Sequence, residues 1–393
     1  MKKKVVFLIG GLKFGGMERV VFIANQLLKD DFETTIVTLY KAEAEYNLDF
    51  DVYDLNLPPN SGKVNKAINM IKRIKSVKEM KRDLNPDAVF SFGMYPNYLN
   101  SLTKGKEKII MGIRSYDWLT KPFTTKALDK WIVNRADSVN SVSKVIAEEA
   151  ERTWKIPLDS NRVIYNPYDI DHIECLAQEE MENNIFRPEC FNIVSAGRLA
   201  DQKGYNHLIK AFSLVVQEIP KAHLFILGNG DKKETLKKLL NELGLKNNVT
   251  LLGGKSNPYK YMKKADLYVM SSLSEGFPNA LVEAMAVQTP ILSTDCKSGP
   301  REILSLENYN KVATDMEVCE FGVIVPPMSG SCNYDGKYIE ECEEKLAEGI
   351  IFMIKNRELR KILGEKSKNR VQQFSYSLFK ESLIKELNSV CPK

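Results

Sequence analysis

The sequence predicts an α/β protein of two doubly wound domains, each built on a largely parallel sheet. Three observations lead there. At 393 residues the chain is too long for one ordinary core, since domains run to roughly 150 residues. Short apolar runs alternate with amphipathic stretches from end to end, as when parallel strands are covered by helices on both faces. The alternation lapses once, after Asn166-Pro167, in an acidic, polar stretch that includes Gln178-Glu179-Glu180-Met181-Glu182-Asn183-Asn184. That lapse gives a first domain over 1–166, a linker over 167–190, and a second domain over 191–374. A last amphipathic stretch over 375–393 closes the second domain or packs back on the first.

The elements follow in order. Strands are expected at Val5–Ile9, Thr34–Leu39, Ala88–Phe92, Lys108–Ile113, Ser138–Ser141 and Arg162–Tyr165. Helical periodicity lies between them, as in Met17–Lys29 and Lys126–Arg135. Val5–Ile9 follows three lysines as a signal peptide would, but it is short and meets Gly10-Gly11 with no cleavage-type ending. It reads as a buried first strand. The second alternation has strands at Asn192–Ala196, Leu224–Leu227, Val249–Leu252, Leu267–Met270, Ile291–Ser293 and Gly322–Val325. Its helices include Tyr205–Gln217, Lys233–Leu243, Pro278–Val287 and Gly336–Lys355, and Ser375–Ser389 is helical as well. Open α/β sheets bind ligands beyond the carboxyl ends of their strands, so two such domains imply a site in the cleft between them.

Composition narrows the class. Hydrophobic residues are 44% and charged residues 27%, which excludes disordered and fibrous chains. No run of about 18 apolar residues occurs, so no spanning helix is expected. The seven cysteines all lie from Cys175 onward without a CxxC pair, which fits reduced thiols in a cytoplasm and no zinc site. The net charge of +5 is too small to imply nucleic acid, but it is uneven: 27 basic against 20 acidic residues up to Asn166, then 29 against 31. Most of the excess lies in Gly62–Arg82, where Lys63, Lys66, Lys72, Arg73, Lys75, Lys78, Lys81 and Arg82 face Glu79 alone. Val64, Ile68, Ile71, Ile74, Val77 and Met80 recur there at helical spacing, so an apolar stripe packs inward under a basic face. That face is either simply solvated or a dock for an anionic membrane surface. No aromatic residues interleave it, which argues against nucleic acid.

Three loops carry chemistry. The first strand runs into Gly10-Gly11-Leu12-Lys13-Phe14-Gly15-Gly16-Met17-Glu18 and a helix. Such glycines permit a tight turn and let N–H groups approach an anion, although the spacing matches neither GxGxxG nor a Walker loop. Gly197-Arg198-Leu199 followed by Lys203-Gly204 puts a forked guanidinium and a mobile ammonium at a strand end, a pair suited to a diphosphate if they are not merely exposed cations. Glu275-Gly276-Phe277-Pro278-Asn279-Ala280-Leu281-Val282-Glu283 joins a strand to a helix. The amides of that turn suit phosphate oxygens, and its two carboxylates suit sugar hydroxyls.

Taken together, Arg198 with Lys203, then Glu275 and Glu283 in EGFPNALVEAMA, resemble the donor site of retaining glycosyltransferases of family 4, which have the GT-B fold of two Rossmann-like domains. Gly15-Gly16-Met17-Glu18-Arg19, Ala136-Asp137 before Ser143, Val163–Pro167, Thr289-Pro290 and Gly299–Ile303 fit the same pattern. The resemblance implies that Arg198 and Lys203 neutralise a departing nucleotide diphosphate, helped by the backbone of Gly16. It assigns Glu283 to the ribose hydroxyls, Glu275 and the Gly276–Asn279 amides to the donor sugar, and Gly254-Lys255 to the base. It implies UDP as the nucleotide, no metal or other cofactor, and a lipid-linked or polysaccharide acceptor read by the first domain near Gly15, Met94, Tyr95 and Trp118. With such an acceptor, the basic helix fits a peripheral enzyme on the inner membrane face.

One departure stands out. Many relatives carry a histidine after the strand matching Lys108–Ile113, where this chain has Arg114-Ser115-Tyr116-Asp117. The substitution directs Arg114 to a sugar or acceptor phosphate, with Asp117 accepting or orienting a proton. His172, His207 and His223 read as structural, and Asp49-Phe50-Asp51 and Asp169-Ile170-Asp171 as structural rather than metal-binding. An epimerase or phosphorylase fits the motifs less well, and a non-catalytic nucleotide-sugar-binding subunit would be expected to have lost part of this residue set.

Overall fold

The protein is described as a computed structural model over residues 2–12, 15–40, 52–57, 63–120, 125–157, 160–181 and 185–392, the side chains of 63–68 excepted. The chain forms two compact units, Met1–Pro167 with Tyr376–Lys393, and Tyr168–Ser375.

Unit 1 runs β1 (Lys4–Ile9), α1 (Gly16–Leu28), β2 (Glu33–Thr38), β3 (Val52–Asp54), α2 (Lys63–Leu84), β4 (Ala88–Phe92), α3 (Met94–Leu102), β5 (Lys108–Ile113), α4 (Asp117–Thr120), α5 (Lys126–Val133), β6 (Ser138–Ser141), α6 (Lys144–Trp154) and β7 (Asn161–Val163). Its strands form a sheet of order β3-β2-β1-β4-β5-β6-β7, parallel throughout. Both faces are covered, which is why β1 is apolar from Val5 to Ile9 and β4 is interrupted only by the buried, hydrogen-bonded Ser91. On one face Val5, Phe7 and Ile9 pack against Val20, Ala24 and Leu28 of α1. On the other, Val6 and Leu8 meet Val77 and Met80 of α2 and Leu99 of α3.

Unit 2 runs α7 (Ile170–Leu176), β8 (Phe191–Ala196), α8 (Tyr205–Glu218), β9 (Ala222–Leu227), α9 (Lys233–Glu242), β10 (Val249–Gly253), α10 (Tyr259–Lys264), β11 (Leu267–Met270), α11 (Asn279–Ala286), β12 (Ile291–Thr294), α12 (Pro300–Leu304), β13 (Glu317–Val318), β14 (Val323–Val325), α13 (Glu341–Lys355) and α14 (Arg357–Val371). The sheet order is β10-β9-β8-β11-β12-β14-β13, parallel except where β13 runs antiparallel to β14. The chain then returns to unit 1 as α15 (Tyr376–Val390), whose Phe379, Leu383 and Leu387 join the core beneath α1.

Some expectations change. The stretch read as a linker is instead grouped with unit 2 from Tyr168 onward and carries α7. Asp169 caps that helix by accepting from His172 N at 3.1 Å, and Asn257 Nδ2 donates to Leu176 O at 2.8 Å. Ile71 does not belong to the inward stripe of α2: it is 70% exposed, whereas Arg73 and Lys81 are buried. Lys81 pairs with Glu107 at 2.7 Å, and the Arg73 guanidinium lies over the rings of Tyr40 and Tyr95. Long side chains with charged tips turn inward where a partner waits, so two of the eight expected surface cations serve the interior.

Glu386 of α15 is wholly buried. It accepts from Ser138 Oγ at 2.9 Å and Asn140 Nδ2 at 2.8 Å, and burial pushes its carboxyl up to about 7 against the Arg114 charge. A carboxyl raised in the folded state binds a proton that the unfolded chain releases near pH 4.3. Its contribution is therefore full below that pH and lost as pH rises towards 7. Thermal unfolding of Glu386→Gln is expected to fall less steeply than wild type between about pH 4.3 and 7. Parallel curves would show that Glu386 does not titrate there.

Candidate functional site

The loops that leave the carboxyl ends of β8 to β12 are tied to one another within unit 2. Gly197 N donates to Leu227 O at 2.9 Å, Leu199 N to Asn229 O at 2.9 Å, and Gly228 N to Gly253 O at 2.9 Å. Gly254 N closes the series on Asn229 Oδ1 at 3.1 Å. Gly228, at φ +143, is indispensable to this lacing, because a Cβ there would lie 1.9 Å from Gly197 O.

A 3-10 turn, Asp201–Lys203, then leads through Gly204 into α8. Gly204 takes φ +61, and a Cβ would stand 2.1 Å from Ser271 O, so only glycine lets this turn lie against the loop after β11. Three bonds fasten the two: Ser271 Oγ to Lys203 O at 2.9 Å, Leu273 N to Gln202 O at 2.8 Å, and Gln202 Nε2 to Ser274 O at 2.7 Å. The outcome is the pair Lys203 Nζ–Glu275 Oε1 at 2.5 Å, with Glu275 largely buried and Lys203 partly open. Arg198 is exposed just beyond β8, and among the described residues no carboxylate forms an ion pair with it.

Helix α11 starts at Asn279, with Pro278 in the capping position. Glu283 lies one turn inside and is buried, so it is not an ordinary surface glutamate. Gly276 and Ala280 stay partly open, and Gly276 O accepts from Ser298 Oγ at 2.8 Å. Two side chains of the turn are held by partners within unit 2. The Phe277 ring is buried edge-on against Phe374, 5.2 Å between centroids, so it serves packing. Asn279 Oδ1 accepts from Tyr168 Oη at 2.6 Å. Lys255 is exposed, 5.8 Å from the Tyr261 ring centroid.

Beneath the loops lie groups that sequence reasoning missed. Tyr268 Oη donates to Ala196 O at 3.3 Å, and burial raises the phenols of Tyr205 and Tyr268. Cys296 is buried, and burial, with the Glu275 charge next, raises its thiol. Gly228-Asn229-Gly230 was legible as a glycine loop after a strand; Tyr168 and Cys296 carried no signal.

In unit 1, Gly15 caps α1 and Gly16 opens it, both exposed. Met94 opens α3, and Tyr95 Oη accepts from Arg73 Nη1 at 2.7 Å. Trp118 is buried, 4.9 Å from Trp154, so it supports the core. Asp117 is exposed at the start of α4. Arg114 is turned inward: it donates to Ile164 O at 3.0 Å and Asn140 Oδ1 at 2.5 Å over the Phe92 ring. Burial pulls its guanidinium down to about 10, opposed by Glu386. Meeting a phosphate would break these bonds, so the geometry gives Arg114 a structural tie.

Other motif residues are also structural. Asp137 pairs with Lys104 and Lys108, and Arg301 with Asp295 and Glu317. His223 bonds Thr250 at 2.9 Å, and burial, then Arg187, lowers it to about 4. Among the described residues the potential metal ligands that gather are His207, Glu340 and Cys342, but both His207 nitrogens already face acceptors, Glu343 Oε1 at 2.7 Å and Ser331 O at 3.0 Å. Asp49-Phe50-Asp51 lies outside the described residues. All seven cysteines are free, and among the described residues no helix is long and apolar enough to cross a membrane.

Comparison with known proteins agrees with this architecture. Residues 14–172 match the family described as Glycosyltransferase Family 4, and residues 177–317 match Glycosyl transferases group 1. An uncharacterised glycosyltransferase of Methanocaldococcus jannaschii is 36% identical over 59% of each chain. A Campylobacter jejuni N-acetylgalactosaminyltransferase, named for the substrate N-acetylgalactosamine-N,N'-diacetylbacillosaminyl-diphospho-undecaprenol, is 28% identical over 95% of this chain and 96% of its own. Among solved structures, a Rickettsia africae glycosyltransferase superimposes with TM-score 0.76 at 18% identity, covering 100% of this chain and 99% of that one. Anabaena Alr3699/HepE, solved with UDP, superimposes with TM-score 0.75 at 18% identity, covering 98% and 100%. With two such sheets and two family matches reaching from residue 14 to residue 317, the chain belongs to the family 4 glycosyltransferases and has the GT-B fold.

Proposed function

We propose that this glycosyltransferase moves a sugar from a UDP-sugar to a lipid-linked or polysaccharide acceptor with retention of anomeric configuration. The observation that carries the reading is the 2.5 Å Lys203–Glu275 pair, beside exposed Arg198 and the α11 turn with its buried Glu283. A nucleotide diphosphate enters as an anion that competes with Glu275 for the Lys203 ammonium, while Arg198 offers a two-pronged contact. As the sugar–phosphate bond breaks, charge builds on the leaving diphosphate, and these two cations stabilise it more in the transition state than in the ground state. They supply the charge that a metal supplies elsewhere, so catalysis without a metal is part of the proposal. The Gly276–Asn279 amides, other than Pro278, which has no N–H, hold the donor sugar with the Glu275 carboxylate, and Glu283 accepts from the ribose hydroxyls. Attack from the face that the leaving group vacates lets the diphosphate take the acceptor proton.

UDP is supported by the ligand of the Anabaena structure. A diphospholipid-linked acceptor is supported by the substrate named for the Campylobacter relative, and polysaccharide synthesis by the amylovoran and lipopolysaccharide-core transferases among the relatives. Such an acceptor sits in a membrane, and the exposed Lys72, Lys75, Lys78 and Arg82 of α2 suit the anionic inner face of a cell membrane.

The test is a transfer assay with α-configured UDP-sugars and a polyprenyl-diphosphate glycan, run with and without EDTA and read by the NMR coupling of the new anomeric proton. An α linkage formed at an unchanged rate in EDTA is expected. A β linkage contradicts retention, and loss of transfer in EDTA contradicts the metal-free reading.

A further inference from the structure

Helix α5 carries an unexplained surface. Asp129, Ile132 and Val133 face inward, whereas Trp131 is 50% exposed and Leu128 41% exposed. One turn apart, these two form a single apolar patch. Lys126 and Lys130 are exposed beside it, and the Arg135 guanidinium lies 4.9 Å from the Trp131 ring centroid.

Helices α5 and α2 flank α3, which is buried from Pro96 to Ser101. Ser101 Oγ donates to Ile132 O at 2.9 Å, and Tyr98 Oη bonds Asp129, which fixes α5 to α3. Lys81 Nζ donates to Asn100 O at 3.0 Å, which fixes α2. The chain crosses β3 to β4, β4 to β5 and β5 to β6 in one direction along the sheet. Right-handed crossovers therefore put α2, α3 and α5 on the same face. On α2, Ile71 stands clear of the core with Lys75, Lys78 and Arg82 at helical spacing on its own side.

We propose that the outer faces of α2 and α5 together form a two-helix dock for an anionic lipid bilayer, with Trp131 and Leu128 entering the headgroup–acyl boundary. The charge selects the occupant. Lys72, Lys75, Lys78, Arg82, Lys126 and Lys130 are exposed around three exposed apolar side chains, a composition that suits anionic lipid. The amphipathic indole ring suits the interface between headgroups and acyl chains. The proposal rests on the reading that α2 meets a membrane and adds a second, apolar anchor to it.

The chain carries its own reporter. Of its three tryptophans, Trp118 and Trp154 are at most 4% exposed, so a shift of emission on docking reports Trp131. With full-length protein, vesicles of phosphatidylcholine containing phosphatidylglycerol are expected to move Trp emission to the blue, and doxyl-labelled lipid to quench it. Pure phosphatidylcholine is expected to do neither. Trp131→Ala with Leu128→Ala, both at exposed positions, is expected to keep the wild-type Tm and to weaken vesicle partitioning about tenfold. Vesicle binding without an emission shift, or undiminished in the double variant, overturns the α5 anchor and leaves α2 docking intact. Absence of binding to either vesicle overturns both readings.

Discussion

Replacing Lys203 with alanine lowers sugar transfer by about two to three orders of magnitude, the range seen when one preorganised transition-state contact is lost. The loss is expected in kcat as well as kcat/KM, because the charge that Lys203 meets is fully developed only as the diphosphate departs. The geometry makes Lys203 hard to replace. Gly204 and three hydrogen bonds pin its backbone to the 271–274 loop, so another cation nearby does not reach the same point. Alanine also leaves Glu275, 9% exposed at its side chain, facing the incoming diphosphate without its counter-charge. Arg198→Ala is expected to act in the same direction. Steady-state kinetics on both variants checks the assignment; unchanged turnover in both defeats it.

The second large effect concerns stability. Glu343, Lys210 and His207 have no exposed side-chain surface, with Glu343 Oε1 2.8 Å from Lys210 Nζ and 2.7 Å from His207 Nδ1. Glu343 Oε2 also accepts from Glu340 N at 2.8 Å, within the capping box that starts α13. Glu343→Ala strands a buried ammonium and a buried imidazole and opens the helix cap. The expected cost is about 3–5 kcal/mol, the range for breaking a buried pair by removing one partner. Denaturant unfolding checks it through a lowered midpoint; a change under about 1 kcal/mol would show that the network is not held in this form. The damage should extend towards the donor loop. Lys210 Nζ donates to Tyr338 O at 3.0 Å, Asn206 Nδ2 to Asn333 O at 3.2 Å, and Tyr334 Oη to Asp201 Oδ1 at 2.6 Å, so the 331–338 segment braces the turn that carries Lys203.

Much of this architecture was legible because buried parallel strands leave a largely apolar signature. Ala88–Phe92, Lys108–Ile113 and Leu267–Met270, apolar but for Ser91 and Lys108, carry the expected limits, as does the buried but mostly polar Ser138–Ser141. β3 and β13 escaped notice because they are short, polar edge strands whose pairing depends on neighbours far along the chain. α7 was missed because its charged neighbours resemble a linker. In the candidate site, Glu275 and Glu283 could be paired by spacing alone, since one loop and one turn of helix separate them. Side-chain direction was not legible. Phe277 turns to Phe374, Arg114 to Asn140 and Ile164, and Arg73 to Tyr95, each following a partner that sequence distance conceals.

The central claim is that Arg198 and Lys203 hold the diphosphate of a nucleotide. Calorimetric binding of UDP and of uridine to wild type and to the Arg198→Ala, Lys203→Ala double variant isolates that contact, because uridine lacks the phosphates. The expected result is UDP affinity reduced about a hundredfold or more, as two charge-assisted contacts are lost, with uridine binding unchanged. UDP bound equally by both proteins, or UDP and uridine weakened alike, would contradict it.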